Sequence, residues 1–243
     1  MRRLVCIAAG LALCAFAPAT ASPRVLLDRP AGGWTSVPAP RPAHVIAKVR
    51  NGSVVALHSR PFGRVVARVG ARTQFGSRRA LGVVASRRGR WLAVTEAGVG
   101  GNRVVWVDAR AGGLSYSRTR LQLEVDLSAR TLTLLRDGTV HRRVSVAVGA
   151  SSSPTPTGHF AVTDKLDGRT FSAAYGCCIL ALSAVQPHLP AGWSGGNRVA
   201  IHGTLSPSDF GRAVSAGCVH ARDADLRYLM RVVPLGTPVV IRP

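Results

Sequence analysis

The sequence predicts a mainly β protein: two β units in series, with one short helix near the C-terminus. Three observations carry this. Val, Thr, Gly and Pro recur at short intervals, with 26 Gly and 15 Pro in 243 residues, a mixture that favours strands and turns. Apolar and polar residues alternate in short runs bounded by turn signals. A helical apolar stripe stands out once, in Leu226, Leu229 and Met230. Apolar residues make up 47% of the chain, enough to build a real core at this length.

Taken in order, the chain opens on Met1-Arg2-Arg3, an apolar run from Leu4 to Phe16, and Ala19-Thr20-Ala21 with small residues at the positions a leader peptidase reads. The run is too short to span a bilayer as a helix. Residues 1–21 are therefore read as a secretory signal peptide cut after Ala21, with a retained anchor as the alternative. No later segment has the apolar length of a membrane helix. The mature protein is expected outside the cytoplasm, secreted or held in the cell envelope, with no membrane contact after cleavage. Residues 22–42, "SPRVLLDRPAGGWTSVPAPRP", are Pro-rich and aperiodic and read as a linker.

Residues 43–112 read as the first β unit. Strands are expected at Val45–Arg50, Val54–His58, Arg64–Val69, Leu81–Ser86, Trp91–Thr95 and Val104–Asp108. Asn51-Gly52, Pro61-Phe62-Gly63, Arg88-Gly89 and Gly100-Gly101-Asn102 supply the turns between them. Strands so short and so closely spaced suggest a small barrel. Gly112-Gly113 through Arg120 reads as a linker.

Residues 120–243 read as the second unit. "LQLEVDLSARTLTLLRDGTVHRRVSVAVG" alternates through three strands, with turns at Ser128-Ala129 and Asp137-Gly138. Further strands are expected at Gly158–Thr163, Ile179–Leu182 and Arg198–His202. The one helix is expected from Asp223, as N-cap, to Val233. Pro234 and Gly236 stop it, and Pro238–Arg242 returns as a last strand.

The formal charge is +21, and Lys48 and Lys165 are the only lysines in a set of 32 basic residues. Long-range attraction should draw such a protein to anionic polymers. Outside a cell those are phosphate-bearing wall polymers, and nucleic acid is not expected as a partner. An Arg-rich solvated surface with no ligand is the bland alternative, so charge alone assigns no function.

Cys6 and Cys14 leave with the leader, and Cys177, Cys178 and Cys218 remain. An odd number in an oxidising compartment leaves at least one thiol unpaired within the chain. For Cys177-Cys178 three readings stay open: two small buried residues at a strand start, a disulfide between neighbours, or a redox or metal role. A zinc site with His202, Cys218 and His220 lacks a Cys-x2-Cys pair to support it. No metal or organic cofactor is expected.

"SAGCVH", Ser215 to His220, contains the remaining thiol. Gly217 allows a tight turn that brings amide N–H groups near a bound carbonyl. The segment runs towards the helix N-terminus, which is expected to lower the thiol pKa and favour an oxyanion. Thirteen residues before Ser215, His202 ends an apolar strand and could act as the base a cysteine nucleophile needs.

Two resemblances follow from these stretches. "GRWLAVTEAGVGGNRVVWVDA" resembles the closing strands of a bacterial SH3-like domain, which implies an SH3-like barrel over 43–112 that holds the wall. An extra β layer packed on the second unit is the equal alternative. "IHGT", "SAGCVH" and "DADLRYLMRVVPLGTPVVI", with Val148-Gly149 and "TPTGHF" upstream, resemble the signature of the YkuD-type L,D-transpeptidases. That resemblance covers about 121–243 and implies a β-sandwich catalytic domain with the short helix after its cysteine. It implies Cys218 as nucleophile, His202 as general base and the Gly203 carbonyl as the group orienting His202. Backbone amides of Gly217 and Cys218, with Ala216, would form the oxyanion site, and Ser215 would brace the loop. His220, Arg222, Thr204 and His159 are the expected substrate contacts. The implied substrate is the peptidoglycan stem tetrapeptide, and carbapenem-type inhibitors are expected to acylate Cys218. The implied product is a 3→3 crosslink formed through a thioester with release of D-Ala.

Departures from the pattern are specific. The family usually has His where Ala216 stands and Arg or Asn where His220 stands, and the segment between His202 and Ser215 is somewhat short. If the missing His steers substrate or ionises the thiol, activity should be lower. Two alternatives are therefore kept: a hydrolase of the same fold, and a wall-binding protein whose catalytic loop has decayed.

Overall fold

The computed structural model describes residues 43–99 and 101–243. The leader and Pro-rich arm expected over 1–42 lie outside the described residues. Strands β1 (His44–Val49), β2 (Val54–His58), β3 (Val65–Gly70), β4 (Ala80–Arg87), β5 (Trp91–Val94), β6 (Val105–Asp108) and β7 (Leu114–Thr119) form one sheet in the order β3-β2-β6-β5-β4-β1-β7. Ala47, Leu57, Val69, Leu81, Val94, Val107 and Leu114 all belong to a single buried cluster, so the sheet curls round its own core.

The linker expected from Gly112 to Arg120 is not there. β7 pairs with β1 along its whole length, from His44↔Thr119 to Val49↔Leu114. Leu114 and Thr119, at the two ends of β7, are buried, whereas Tyr116 and Arg118 are exposed. Gly112 and Gly113 both have positive φ, 76° and 70°, in the turn that carries the chain from β6 into β7. Arg120 alone separates β7 from the next strand.

The second sheet contains β8 (Leu121–Asp126), β9 (Thr131–Arg136), β10 (Thr139–Ser145), β12 (Gly158–Asp167), β13 (Cys178–Val185), β14 (Arg198–His202), β16 (Val219–His220) and β17 (Pro238–Arg242). Its order is β10-β9-β8-β17-β12-β13-β14-β16, while β11 (Val148–Gly149) and β15 (Ala213–Ser215) form a separate parallel pair. The pairings β17–β8 and β14–β16 are parallel. Helix α1 (Asp223–Val232) lays Leu226 and Leu229 into the core with Leu180, Leu182, Ile201 and Val219. Its N-cap is Arg222, whose side chain makes no capping bond, and Asp223 is the first helical residue. The Asp223 carboxylate instead accepts the Cys177 N–H at 3.2 Å. The expected capping role gives way to a tertiary bond that ties α1 to the start of β13.

The described residues fall in one compact unit, and the sheets meet through specific polar contacts. Thr95 and Ser183 share a buried hydroxyl hydrogen bond of 2.8 Å. Asn102 both donates to the Val185 carbonyl and accepts from the Val185 amide, each at 2.7 Å. Thr73 donates to Asp164, a fully buried carboxylate that lies 3.7 Å from Arg198. Arg79 pairs with Glu96 in the same region. Burial pushes the Glu96 carboxyl up and Arg79 opposes this. Such a cluster adds little net stability, but breaking one partner away leaves an uncompensated buried charge at about 3–5 kcal/mol.

Candidate active site

The parallel register of β14 and β16 sets His202 beside His220 and Ile201 beside Val219. Continuing it one step places Cys218 beside Ala200. Side chains alternate across a strand, so Ala200, His202, Cys218 and His220 share one face of the sheet. That face opens into a cleft of about 670 Å³ lined by Tyr175, Ala200, His202, Cys218 and His220, among others. Ile201 and Val219, one residue over, point into the core.

His202 is 6% exposed and its Nδ1 lies 2.7 Å from the Gly203 carbonyl oxygen. A carbonyl only accepts, so Nδ1 carries the proton and Nε2 keeps its lone pair. Burial, reinforced by the neighbouring His220, pushes the imidazole pKa down to about 3. The Tyr175 ring stands edge-on to His202 at 4.7 Å. The Tyr175 carbonyl also takes the Gly203 N–H at 2.8 Å. Tyr175 was not anticipated from the sequence: no spacing links it to His202, and only the fold of 168–176 delivers it.

Cys218 is half-buried and is the free cysteine among the described residues. Its sulfur lies 3.9 Å from the Arg198 carbonyl. Burial pushes the thiol up to about 11, partly offset by the Ala200 amide. This corrects the expected lowering: β16 intervenes, so the helix starts five residues beyond the cysteine. At rest the pair is a neutral thiol and a neutral imidazole.

Ser215 braces the loop from both ends, donating to the Cys218 carbonyl at 2.5 Å and accepting the Gly217 N–H at 3.1 Å. The Gly217 amide, expected to face an oxyanion, is thus turned towards Ser215. Gly217 has φ 113°, and a Cβ there would overlap the Gln186 carboxamide. Glycine is required on both counts. Ala216 lines the cleft, and its carbonyl accepts from Gln186 Nε2 at 3.3 Å.

The expected substrate contacts separate. Thr204 and His220 line the cleft. Thr204 donates to Asp209 at 3.3 Å, and His220 Nδ1 lies 3.8 Å from the same carboxylate. Burial lowers the His220 pKa against the pull of Asp209, so the ring does not supply a cation at neutral pH. His159 and Arg222 are not among the cleft residues. His159 is exposed on β12 opposite Val240, and the Arg222 guanidinium covers the Phe210 ring at 4.5 Å. Trp193 also lines the cleft, at 45% exposure. Cys177 and Cys178 are bonded to each other and buried. The disulfide reading therefore replaces that of two buried thiols, and it takes both sulfurs out of any metal site.

The fold and site define a mainly β domain with a cysteine and a histidine side by side on one sheet face. Residues 120–241 match the YkuD family, the L,D-transpeptidase catalytic domain, and the chain belongs to it. The L,D-transpeptidase homologue YkuD of Bacillus subtilis strain 168 is 33% identical over 119 residues, 49% of this chain and 64% of that protein. The Bacillus licheniformis homologue of the same name is 32% identical over 50% of this chain and 66% of its own length. The chain thus spans about two thirds of the length of these relatives. A solved structure of the transpeptidase LdtMt1 in complex with imipenem is 20% identical, covers 77% of this chain and 99% of its own, and has a TM-score of 0.42.

Proposed function

We propose that the protein is an exported peptidoglycan L,D-transpeptidase with Cys218 as nucleophile and His202 as general base. The observation that carries this is the shared sheet face: both side chains enter one cleft, and His202 is pinned through Nδ1 with Nε2 unprotonated. In a stem tetrapeptide, the Cys218 thiol attacks the carbonyl before the terminal D-Ala. The S–C bond forms as the proton passes to His202 Nε2, the C–N bond breaks, and His202 returns the proton to the leaving D-Ala amine. An acceptor amine then attacks the thioester, gives its proton to His202, and the cysteine leaves as thiol. The product is a 3→3 crosslink. No metal or organic cofactor takes part.

The high thiol value favours concerted proton removal, with a thiolate forming only as the carbonyl is attacked. The Gly217 amide can serve an oxyanion after rotating away from Ser215, and the Cys218 amide is the other donor in this reading. Thr204 and His220 hold the stem peptide from the cleft wall. The leader over 1–21 delivers the chain to the envelope. The β layer over 43–119 is an SH3-like module that contacts the wall, aided by attraction of the basic surface to anionic polymers.

Intact-protein mass after exposure to imipenem tests the site. An adduct on the wild type that disappears in Cys218→Ala supports it, and a folded wild type with no adduct would sink it. The raised thiol pKa and Ala216 favour a decayed binder as the second reading, and that outcome would select it. A same-fold hydrolase would give the adduct yet only trim tetrapeptide.

A further inference from the structure

We infer that Gln186 is a positioning residue for the Cys218 loop, and that the N-terminal β layer reaches the site through it. The inference rests on the cysteine acyltransferase reading above. Gln186 follows β13, is 4% exposed, and lines the cleft. Its Nε2 is within 3.2 Å of the Ser153 carbonyl, 3.0 Å of the Pro154 carbonyl and 3.3 Å of the Ala216 carbonyl. Its Oε1 accepts the His188 N–H at 3.0 Å. A carboxamide carries two donor hydrogens, so one of them is shared to reach three carbonyls from two separate loops. The backbone of Gln186 is itself held, its N–H donating to the Asn197 carbonyl at 2.7 Å.

Two neighbours make this more than loop packing. Gly217 lies so close that any side chain there would overlap the carboxamide, so the peptide just before Cys218 rests on Gln186. On the other side, Val185 is gripped at both its amide and its carbonyl by Asn102, in the connection between β5 and β6 of the N-terminal layer. A continuous polar path therefore runs Asn102, Val185, Gln186, Ala216, Cys218. The methyl of Ala216 makes no polar contact, so the loop is held from below through its carbonyl. The polar contacts of the carboxamide are all with backbone groups. Ionisable residues on the elements around it are His188, Arg198 and Cys218, with His202 and His220 across the cleft.

The test is the rate of Cys218 acylation by imipenem in the full chain, measured against pH. Gln186→Glu keeps the shape, and burial against three carbonyls raises the new carboxyl. Ionised, it presents a carboxylate to those carbonyls; protonated, it regains one O–H donor. Acylation should be at least about tenfold slower than wild type at alkaline pH, where the carboxyl is ionised, a loss equal to one good hydrogen bond to the loop. The gap should close as pH falls and the new carboxyl protonates. Gln186→Leu, which lacks the donor at every pH, should be slow throughout. Asn102→Ala should show a smaller loss in the same direction, and near-ultraviolet circular dichroism checks that each variant is folded. A folded Gln186→Leu that acylates like wild type, or a Gln186→Glu deficit independent of pH, would overturn the proposal. If either Gln186 variant does not fold, Asn102→Ala decides. If wild type itself is not acylated, the parent reading has failed. Alkylation of Cys218 by iodoacetamide then reads the loop directly, and an alkylation rate in Gln186→Glu that matches wild type at every pH overturns the positioning role.

Discussion

At the residue scale, His202 and Cys218 are forced towards neutrality by the same burial that holds them. His202 folds with a pKa of about 3 against 6.5 for the free imidazole. Between those values the unfolded chain binds a proton that the folded chain refuses, so stability is full above pH 6.5 and falls as pH drops towards 3. Cys218 folds at about 11 against 9.0. Between those values the unfolded thiol has lost a proton that the folded one retains, so stability falls as pH rises through that window. His202→Asn should therefore flatten the acid limb by about one proton, read from urea midpoints across that window. An unchanged acid limb would rule this out. Gly217→Ala should destabilise by about 1–3 kcal/mol through its backbone conformation alone, plus the overlap with Gln186. Adding Gln186→Ala should relieve the second part and leave the first, which a double-mutant cycle resolves.

At the element scale, alternating burial makes some strands plain in the sequence. β8 alternates buried and half-buried through all six residues, and Asp137-Gly138 marks its neighbour's hairpin. β7 is hidden because "LSYSRT" has a single aliphatic residue and follows two glycines, so it reads as a connection. Only its pairing with β1 makes it a strand. Its amides should exchange slowly with solvent, at protection close to that of β1, whereas a linker would exchange within seconds. Fast exchange over Ser115–Thr119 would contradict the structure. The helix was legible from Leu226 and Leu229, but Asp223 was assigned to the wrong task because its partner, Cys177, is 46 residues away. The resemblance to the YkuD-type signature is what pointed to Cys218, His202, Gly203 and Ser215. Tyr175 and Gln186 left no local signal, since each acts through contacts that exist only once distant strands have met.

At the scale of the whole molecule, the two sheets are joined by a buried hydrogen bond at Thr95–Ser183, by half-buried ones at Asn102–Val185 and by the charges of Glu96, Asp164 and Arg198. A junction of this kind should make residues 43–243 unfold in one cooperative transition by calorimetry. Asp164→Ala should lower the midpoint by stranding Arg198, at a cost of about 3–5 kcal/mol. Two resolved transitions in the wild type would mean that the layers are independent. Composition and charge could not show this junction, because its residues are few, scattered and paired across the fold. The central claim is that this scaffold holds a working acyltransferase pair. The most direct measurement is mass analysis of stem tetrapeptide incubated with the full chain, with and without an acceptor amine on a second stem. The account predicts a crosslinked dimer one D-Ala lighter than its two parts, absent in Cys218→Ala. Tripeptide alone, or unchanged tetrapeptide with a folded protein, would contradict it.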